Sequence, residues 1–198
     1  MTIAPTLDTL RASLPGLCEE ARRRGREFED SRQLADDFTD RLKAAGAYRI
    51  LYPSEFGGLG GALVDWFDMG LALAEADAST GWTVMHGAGA NAIVQSLGDR
   101  GFARDVLSDP GACCAWSNAP SSVQAENTAD GLRISARWSY VTGCMAATYV
   151  EVSCRWPMKP APFGPWLRSS RPLLHASIRP GTPWVFRGRA VMTLSLKM

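Results

Sequence analysis

The stretch DGLRISARWSYVTGC, residues 130–144, decides the fold, because the periodicity of the chain changes there. Asp130-Gly131 is a turn dipeptide, and the residues after it alternate between apolar and polar, as in a half-buried strand. The apolar members of this alternation are Leu132, Ile134 and Ala136. Apolar runs typical of strands lie on either side, at 112–117 and 149–154. Residues 112–155 therefore predict the beginning of an antiparallel β domain.

The chain before residue 112 has the three- and four-residue apolar spacing of helices. The predicted helices cover residues 6–28, 31–45, 63–77 and 79–97, with a short fifth helix at 99–108. Pro15-Gly16 predicts a break or kink in the first helix. The helix at 79–97 is apolar nearly all round, so we expect it to be central and buried. The predicted fold class is α+β, with an N-terminal all-α helical domain at 1–111 and a partial β domain at 112–155.

The composition excludes several classes of protein. Hydrophobic residues make up 46% and charged residues 21% of 198, and the net charge is +1, which is typical of a globular domain. A dedicated nucleic-acid binder would be clearly basic. No apolar run approaches the ~18 residues of a membrane span, and the first residues do not resemble a signal peptide. We therefore expect a cytoplasmic protein with no nucleic-acid or membrane partner.

The cysteines do not indicate a disulfide framework or a metal site. There are five of them, without a C-x-x-C pair, and only two histidines accompany them. This pattern favours buried free thiols, and no metal is expected.

The last part of the chain, residues 156–198, differs from the rest in charge. Residues 1–155 hold 14 Lys and Arg against all 20 Asp and Glu, a net charge of −6. Residues 156–198 hold seven Lys and Arg, no acid, and seven of the 12 prolines. This segment has no helical or strand periodicity, yet it is too apolar for a linker.

Four stretches, in this order, resemble the acyl-CoA dehydrogenase superfamily. They are LKAAG (42–46), PSEFGGLG (53–60), AEADASTGW (74–82) and DGLRISARWSYVTGC (130–144). The resemblance implies an N-terminal helical domain followed by the start of an antiparallel β-barrel-like domain. The family continues into a C-terminal four-helix bundle, which is absent from this sequence.

Two of the motifs are similar to those of two-component flavin-dependent monooxygenases, namely STGW (79–82) and W-x-x-x-T-G-C (138–144). Dehydrogenases typically carry a glutamate after the first β strand, whereas NAPSS (118–122) has no acid. The resemblance thus implies an oxygenase component that hydroxylates an aromatic or related small-molecule substrate with reduced flavin, either FAD or FMN. A flavin reductase would be its partner, and a homotetramer is expected for the full-length family.

The resemblance also implies a flavin site. Thr142 matches a hydroxyl near N5 of the flavin, and Ser117 matches the end of the strand that lines the same pocket, so these two are the catalytic candidates. The cofactor-binding candidates are Trp116, Ser117, Asn118, Trp138, Tyr140, Thr142 and Gly143. His86 and Asn91, on the central helix, are substrate candidates. Without the resemblance, Thr142 and Ser117 would be interpreted as polar turn residues.

The family pattern stops at Arg155, and a shift of the reading frame by one base restores it. In that frame the degenerate codons of 155–160 can spell VADEA, and those of 190–198 can spell SHDVEFED, which is similar to a second β-domain motif of the family. The hypothesis is that a base is missing near the Arg155 codon, so that 156–198 is an out-of-frame, poorly ordered tail. Coincidence assisted by codon degeneracy is the other explanation.

Three functional interpretations stay open. The first is a truncated oxygenase component that is inactive alone. The second is an acyl-CoA dehydrogenase-type oxidoreductase that acts on CH–CH groups with FAD. The third is an inactive, frameshifted gene product.

Overall fold

A computed structural model describes residues 4–94, 104, 106, 108–117, 120–128, 131–152 and 189–196 of the chain. The chain divides into two compact units. The first comprises Met1–Ala115 with Thr142–Tyr149, and the second comprises Trp116–Val141 with Val150–Met198.

The first unit confirms the predicted N-terminal helical domain. Its described helices are α1 (Leu7–Ser31), α2 (Asp36–Ala44), α3 (Leu63–Ala76) and α4 (Ala78–Val94), with 3-10 turns at Ala47–Arg49 and Ser54–Phe56. None of the helices in the described part of the chain is both long and apolar enough to cross a bilayer. Most of the predicted short helix at 99–108 lies outside the described residues.

Helix α1 runs through Pro15 without interruption, so the predicted break is wrong. Pro15 is exposed, and the backbone carbonyl that loses its helical donor can therefore bond water. The opposite face buries Leu10, Leu17 and Phe28, which hold the helix on both sides of the proline. The helix ends at Arg32, which adopts a left-handed φ of 57°, so the next helix begins at Asp36 rather than at residue 31.

An ion-pair cluster joins α1 to α2. Arg24 bonds Glu20 at 2.9 Å, Glu27 at 2.8 Å and Asp37 at 2.7 Å, and its guanidinium stacks over the Phe28 ring. Because Asp37 belongs to α2, the cluster fixes the first turn of that helix against α1.

Helices α3 and α4 pack closely through small residues. A side chain at Gly70 would overlap Met85, and one at Gly81 would overlap Ala74. The residues pair in opposite order along the two helices, so the helices run antiparallel. The core of the unit is formed by side chains from all four helices and the first 3-10 turn. It includes Leu17, Phe38, Leu42, Tyr48, Leu73 and Val84.

The strands lie in two sheets. Strand β1 (Cys114–Ser117) pairs with β4 (Tyr149–Val152). Strands β2 (Pro120–Thr128), β3 (Gly131–Ser139) and β5 (Arg189–Leu196) form an antiparallel sheet in the order β2-β3-β5. The strands predicted around residues 114, 134 and 150 are present, whereas β2 was not predicted.

Strand β5 differs from the sequence analysis, which found no strand periodicity in residues 156–198. Arg189–Leu196 pairs with β3 over its length, with Leu196 opposite Leu132 and Arg189 opposite Ser139. Its residues Met192–Leu196 alternate between apolar and polar, a period of two that the sequence analysis missed. Otherwise the predicted out-of-frame tail lies outside the described residues.

Candidate functional site

A tight turn follows strand β3 and carries the predicted hydroxyl, Thr142. Tyr140 and Gly143 flank it in left-handed conformations, with φ of 57° and 76°. Glycine adopts this region freely, but a bulky residue there costs about 1–3 kcal/mol. Tyr140 is also 88% exposed. The backbone therefore holds a specific shape here, although no packing of the Tyr140 side chain requires it.

The turn is attached to the helical unit at its far end. Lys43, in the last turn of α2, donates to the Ala146 carbonyl at 3.3 Å. The Cys113 amide donates to the Thr148 hydroxyl at 3.0 Å, and the Thr148 amide donates to the Cys113 carbonyl at 2.8 Å. These bonds fix the segment that carries Thr142 against the helices.

Helix α4 contacts the near end of the turn. The indole N–H of Trp82 donates to Thr142 Oγ1 at 3.4 Å. A side chain at Gly143 would lie 3.6 Å from the Thr83 methyl group, so the Gly143 backbone is close to the helix surface. The structure therefore brings Thr142 and Gly143 together with the STGW motif, which is 60 residues away along the chain.

The predicted substrate residue His86 lies one turn after Trp82 on the same helix. The two rings meet edge to face, with centroids 5.6 Å apart. Partial burial lowers the pKa of the His86 imidazole below its ordinary 6.5. The ring is therefore neutral at pH 7, and a neutral imidazole can accept a hydrogen bond at one nitrogen and donate at the other.

The second predicted substrate residue, Asn91, is fully buried. Its amide nitrogen donates to the carbonyls of Tyr48 at 2.8 Å and Ala112 at 3.2 Å, and its oxygen accepts from the Cys114 amide at 2.8 Å. Two of these bonds connect α4 to the start of β1, and the bond to Tyr48 connects it to the first 3-10 turn. The structure thus gives Asn91 a place in the core that sequence reasoning missed, and its role toward a substrate stays a prediction.

The remaining candidates belong to the second unit. Ser117 is buried at the end of β1, and Trp116 beside it is half-buried. The backbone of Trp138 lies in β3 opposite Pro120 and Ala190, and its side chain lies outside the described residues, as does Asn118. Thr142 and Gly143 belong to the first unit.

An apolar surface on α3 was not predicted to be exposed. It consists of Leu63, Val64, Phe67 and Leu71, whose exposed fractions run from 49% to 71%. Helix α3 packs on α4 through its neighbouring side, with Trp66 and Gly70. Trp82 is 63% exposed, and helical spacing with the antiparallel pairing puts it on the same side of the pair as Phe67.

Comparisons with known proteins give a consistent result. No protein-family model matches the chain. It is 31% identical over 141 residues to an indole-3-acetate monooxygenase of Acinetobacter baumannii, covering 70% of this chain and 36% of that protein. It is 27% identical over 134 residues to the oxygenase component of an FADH2-dependent resorcinol hydroxylase of a Rhizobium species, covering 68% and 32%. The chain thus spans about a third of the length of these curated relatives.

A solved structure agrees with these relatives. The HsaA monooxygenase from Mycobacterium tuberculosis matches with a TM-score of 0.67 and 25% identity. The match covers 76% of this chain and 39% of that one.

Proposed function

The chain belongs to the acyl-CoA dehydrogenase superfamily, on the side of its flavin-dependent monooxygenases, and from this premise we propose that it is part of an oxygenase component. It supplies the helical domain and the start of the β domain, in which strands β2 and β3 begin a β-barrel-like structure. The observation that carries the proposal is the convergence of the STGW and W-x-x-x-T-G-C motifs at the Trp82–Thr142 bond.

The described residues fit one edge of a flavin ring. Thr142 offers a hydroxyl, and Gly143, at φ 76°, leaves space for close approach to the backbone. Beside them lies the apolar ring of Trp82, which is 63% exposed. When bound, reduced FAD or FMN supplies the electrons with which oxygen is activated.

Each residue of the site has a separate task in the proposal. The Thr142 hydroxyl donates to an acceptor at the ring edge, and the Trp82 surface excludes water from it. For Trp116, Ser117, Asn118, Trp138 and Tyr140, which belong to the second unit, a cofactor-binding role stays a prediction. The neutral His86 imidazole accepts a hydrogen bond from the substrate, and Asn91 holds β1 in place behind the site.

The proposed substrate is a small aromatic molecule with a polar substituent. The relatives are named for indole-3-acetate and for resorcinol, and both molecules are small aromatic rings with a polar substituent. A hydroxyl or carboxylate on the ring would find a hydrogen-bond partner at His86, in a surface that is otherwise apolar. The proposed protein partner is a flavin reductase.

The apolar surface on α3 has the character of an interface. Four large side chains are exposed on one helix face, which is unusual for a monomer. We propose that a C-terminal four-helix bundle covers this face in the complete oxygenase and joins it into a homotetramer. Without that cover, the chain is expected to bind flavin weakly and to self-associate.

The proposal extends to the reading frame. We propose that residues 156–198 are translated out of frame, since the shifted frame restores family-like motifs at both ends of the segment. Strand β5 lies inside it, so the nucleotide sequence, rather than the presence of a strand, decides this point.

A ligand titration tests the function. The 15N-labelled chain is titrated anaerobically with reduced FMN, with reduced FAD and, separately, with a short acyl-CoA. We expect reduced flavin to shift the amide signals of Thr142 and Gly143 and the indole signal of Trp82, with Trp66 as the unaffected indole. Shifts induced by the acyl-CoA alone would favour the dehydrogenase interpretation, and flavin shifts confined to α1 and α2 would contradict the proposed site.

A further inference from the structure

The Trp82–Thr142 bond has a direction that the chemistry of its partners dictates. The indole nitrogen can only donate, so the Thr142 oxygen is the acceptor in this pair. The distance is 3.4 Å, and Trp82 is the only described hydrogen-bond partner of the Thr142 hydroxyl. One lone pair of the hydroxyl is therefore occupied, and the hydroxyl hydrogen points away from the indole.

Both partners are held by the fold. Thr142 lies between the left-handed Tyr140 and Gly143, in a turn that Lys43 attaches to α2. Trp82 stands near the start of α4, against the edge of His86. The donor and the acceptor thus belong to two fixed elements, and the bond joins them across 60 residues of sequence.

We infer that Trp82 is a positioning residue for Thr142, whose hydroxyl hydrogen it directs away from the protein and toward an acceptor atom of a bound ligand. The identity of that ligand as a flavin rests on the proposed function. The orientation of the hydroxyl does not, because it follows from the donor-only chemistry of the indole and from the position of the turn.

A simpler role for Trp82 would be that of an apolar wall. Its ring is large and exposed beside the site, so its removal would weaken the binding of a flat ligand in any case. The two roles differ in their coupling. A wall acts whether or not residue 142 has a hydroxyl, whereas a positioning residue has nothing to orient once that hydroxyl is gone.

A double-mutant cycle separates the two roles. Dissociation constants for reduced FMN are measured anaerobically for the wild type, Trp82→Phe, Thr142→Val and the double variant. Trp82→Phe keeps an aromatic ring, although a smaller one, and removes the donor. We expect it to raise the constant about threefold with Thr142 present, the scale of one neutral hydrogen bond, and to leave it unchanged in the Thr142→Val background. The same increase in both backgrounds would overturn the inference.

Trp66→Phe is the matched control. The Trp66 indole donates to the Met85 carbonyl at 3.2 Å, on the other side of the α3–α4 contact, so its removal deletes a comparable bond without touching the turn. Reduced FMN affinity is expected to stay at the wild-type value. A threefold loss in this control as well would mean that general loosening explains the effect of Trp82→Phe, which would also overturn the inference.

A second measurement needs no flavin. In the ligand-free protein, Thr142→Val should move the Trp82 indole signal and speed its hydrogen exchange, and Trp82→Phe should average the side-chain couplings of Thr142. If these changes occur while the wild type binds no flavin, the proposed function fails and the positioning role stands. If Thr142→Val changes neither the chemical shift of the Trp82 indole signal nor its hydrogen exchange, the positioning role itself is contradicted.

Discussion

Asn91→Leu should strongly destabilise the helical unit. Leucine has the same number of side-chain heavy atoms and the same branching, so the substitution leaves no cavity and removes mainly hydrogen bonds. The fully buried Asn91 amide bonds the Tyr48 and Ala112 carbonyls and the Cys114 amide. A buried polar group without a partner costs roughly 1–3 kcal/mol, so three such groups predict a loss of about 3–6 kcal/mol after partial relaxation. That is a large share of the ~5–15 kcal/mol of a typical domain.

The assay is urea unfolding followed by the circular dichroism of the helices, which reports mainly on the first unit. The matched control is Thr80→Val on the same helix. Thr80 is also fully buried, but its hydroxyl has no hydrogen-bond partner among the described residues. Replacing that hydroxyl with a methyl group should be neutral or slightly stabilising. A loss below about 1 kcal/mol for Asn91→Leu, or an equal loss for both variants, would refute the reasoning.

Asn91→Asp adds a pH dependence with a defined sign. The carboxylate keeps an acceptor for the Cys114 amide, but it turns an oxygen toward the Tyr48 and Ala112 carbonyls. Burial and these carbonyls favour the protonated acid, so the folded-state pKa rises above the unfolded value. The variant should therefore gain stability relative to the wild type as the pH falls toward that unfolded value. If the difference in unfolding free energy between the variant and the wild type does not change with pH, the surroundings of the Asn91 amide are not as described.

Three further predictions concern the surface and the charges. Phe67→Lys should weaken self-association by about tenfold in sedimentation equilibrium, because it removes the centre of the apolar face, and Asp68→Lys on the polar edge should change it much less. The His86 imidazole should titrate below 6.5 by NMR, and a midpoint above 6.5 would contradict its partial burial. Because its pKa is lower in the folded than in the unfolded protein, the folded state should lose stability as the pH falls from the unfolded pKa toward the folded one. Arg24→Ala leaves three carboxylates without their shared partner and should lower the urea midpoint. The decrease should be clearly larger than for Arg22→Ala, because the single ion pair of Arg22 is exposed. Equal decreases would show that the cluster adds no stability.

Local sequence signals predicted the elements of the fold well where one pattern dominates. The apolar character of residues 79–97 correctly indicated a central helix, and the turn dipeptide Asp130-Gly131 correctly preceded a strand. Pro15 misled the prediction, because the rule against proline in helices assumes that the missing hydrogen bond cannot be replaced, whereas this proline is exposed. The short-range signal carries no information on that exposure.

The candidate site was only partly predictable, for a physical reason. The motif around Thr142 was found by resemblance, but its bond to Trp82 depends on tertiary packing that joins positions 60 residues apart. Asn91 was interpreted as a substrate residue because of the resemblance and its place on the central helix, and nothing local showed that three backbone groups surround it. Apolar spacing predicted helix α3, but periodicity does not reveal which neighbour covers the apolar face of a helix.

The most direct test of the central claim is reduced-flavin binding by the product of the gene with one base restored at the Arg155 codon. The account predicts that the restored frame reads on into acid-containing, family-like sequence. Its product should bind reduced flavin stoichiometrically in an anaerobic titration, and Thr142→Val should weaken that binding. A locus without such a continuation, or a restored product that binds no reduced flavin, would contradict the account.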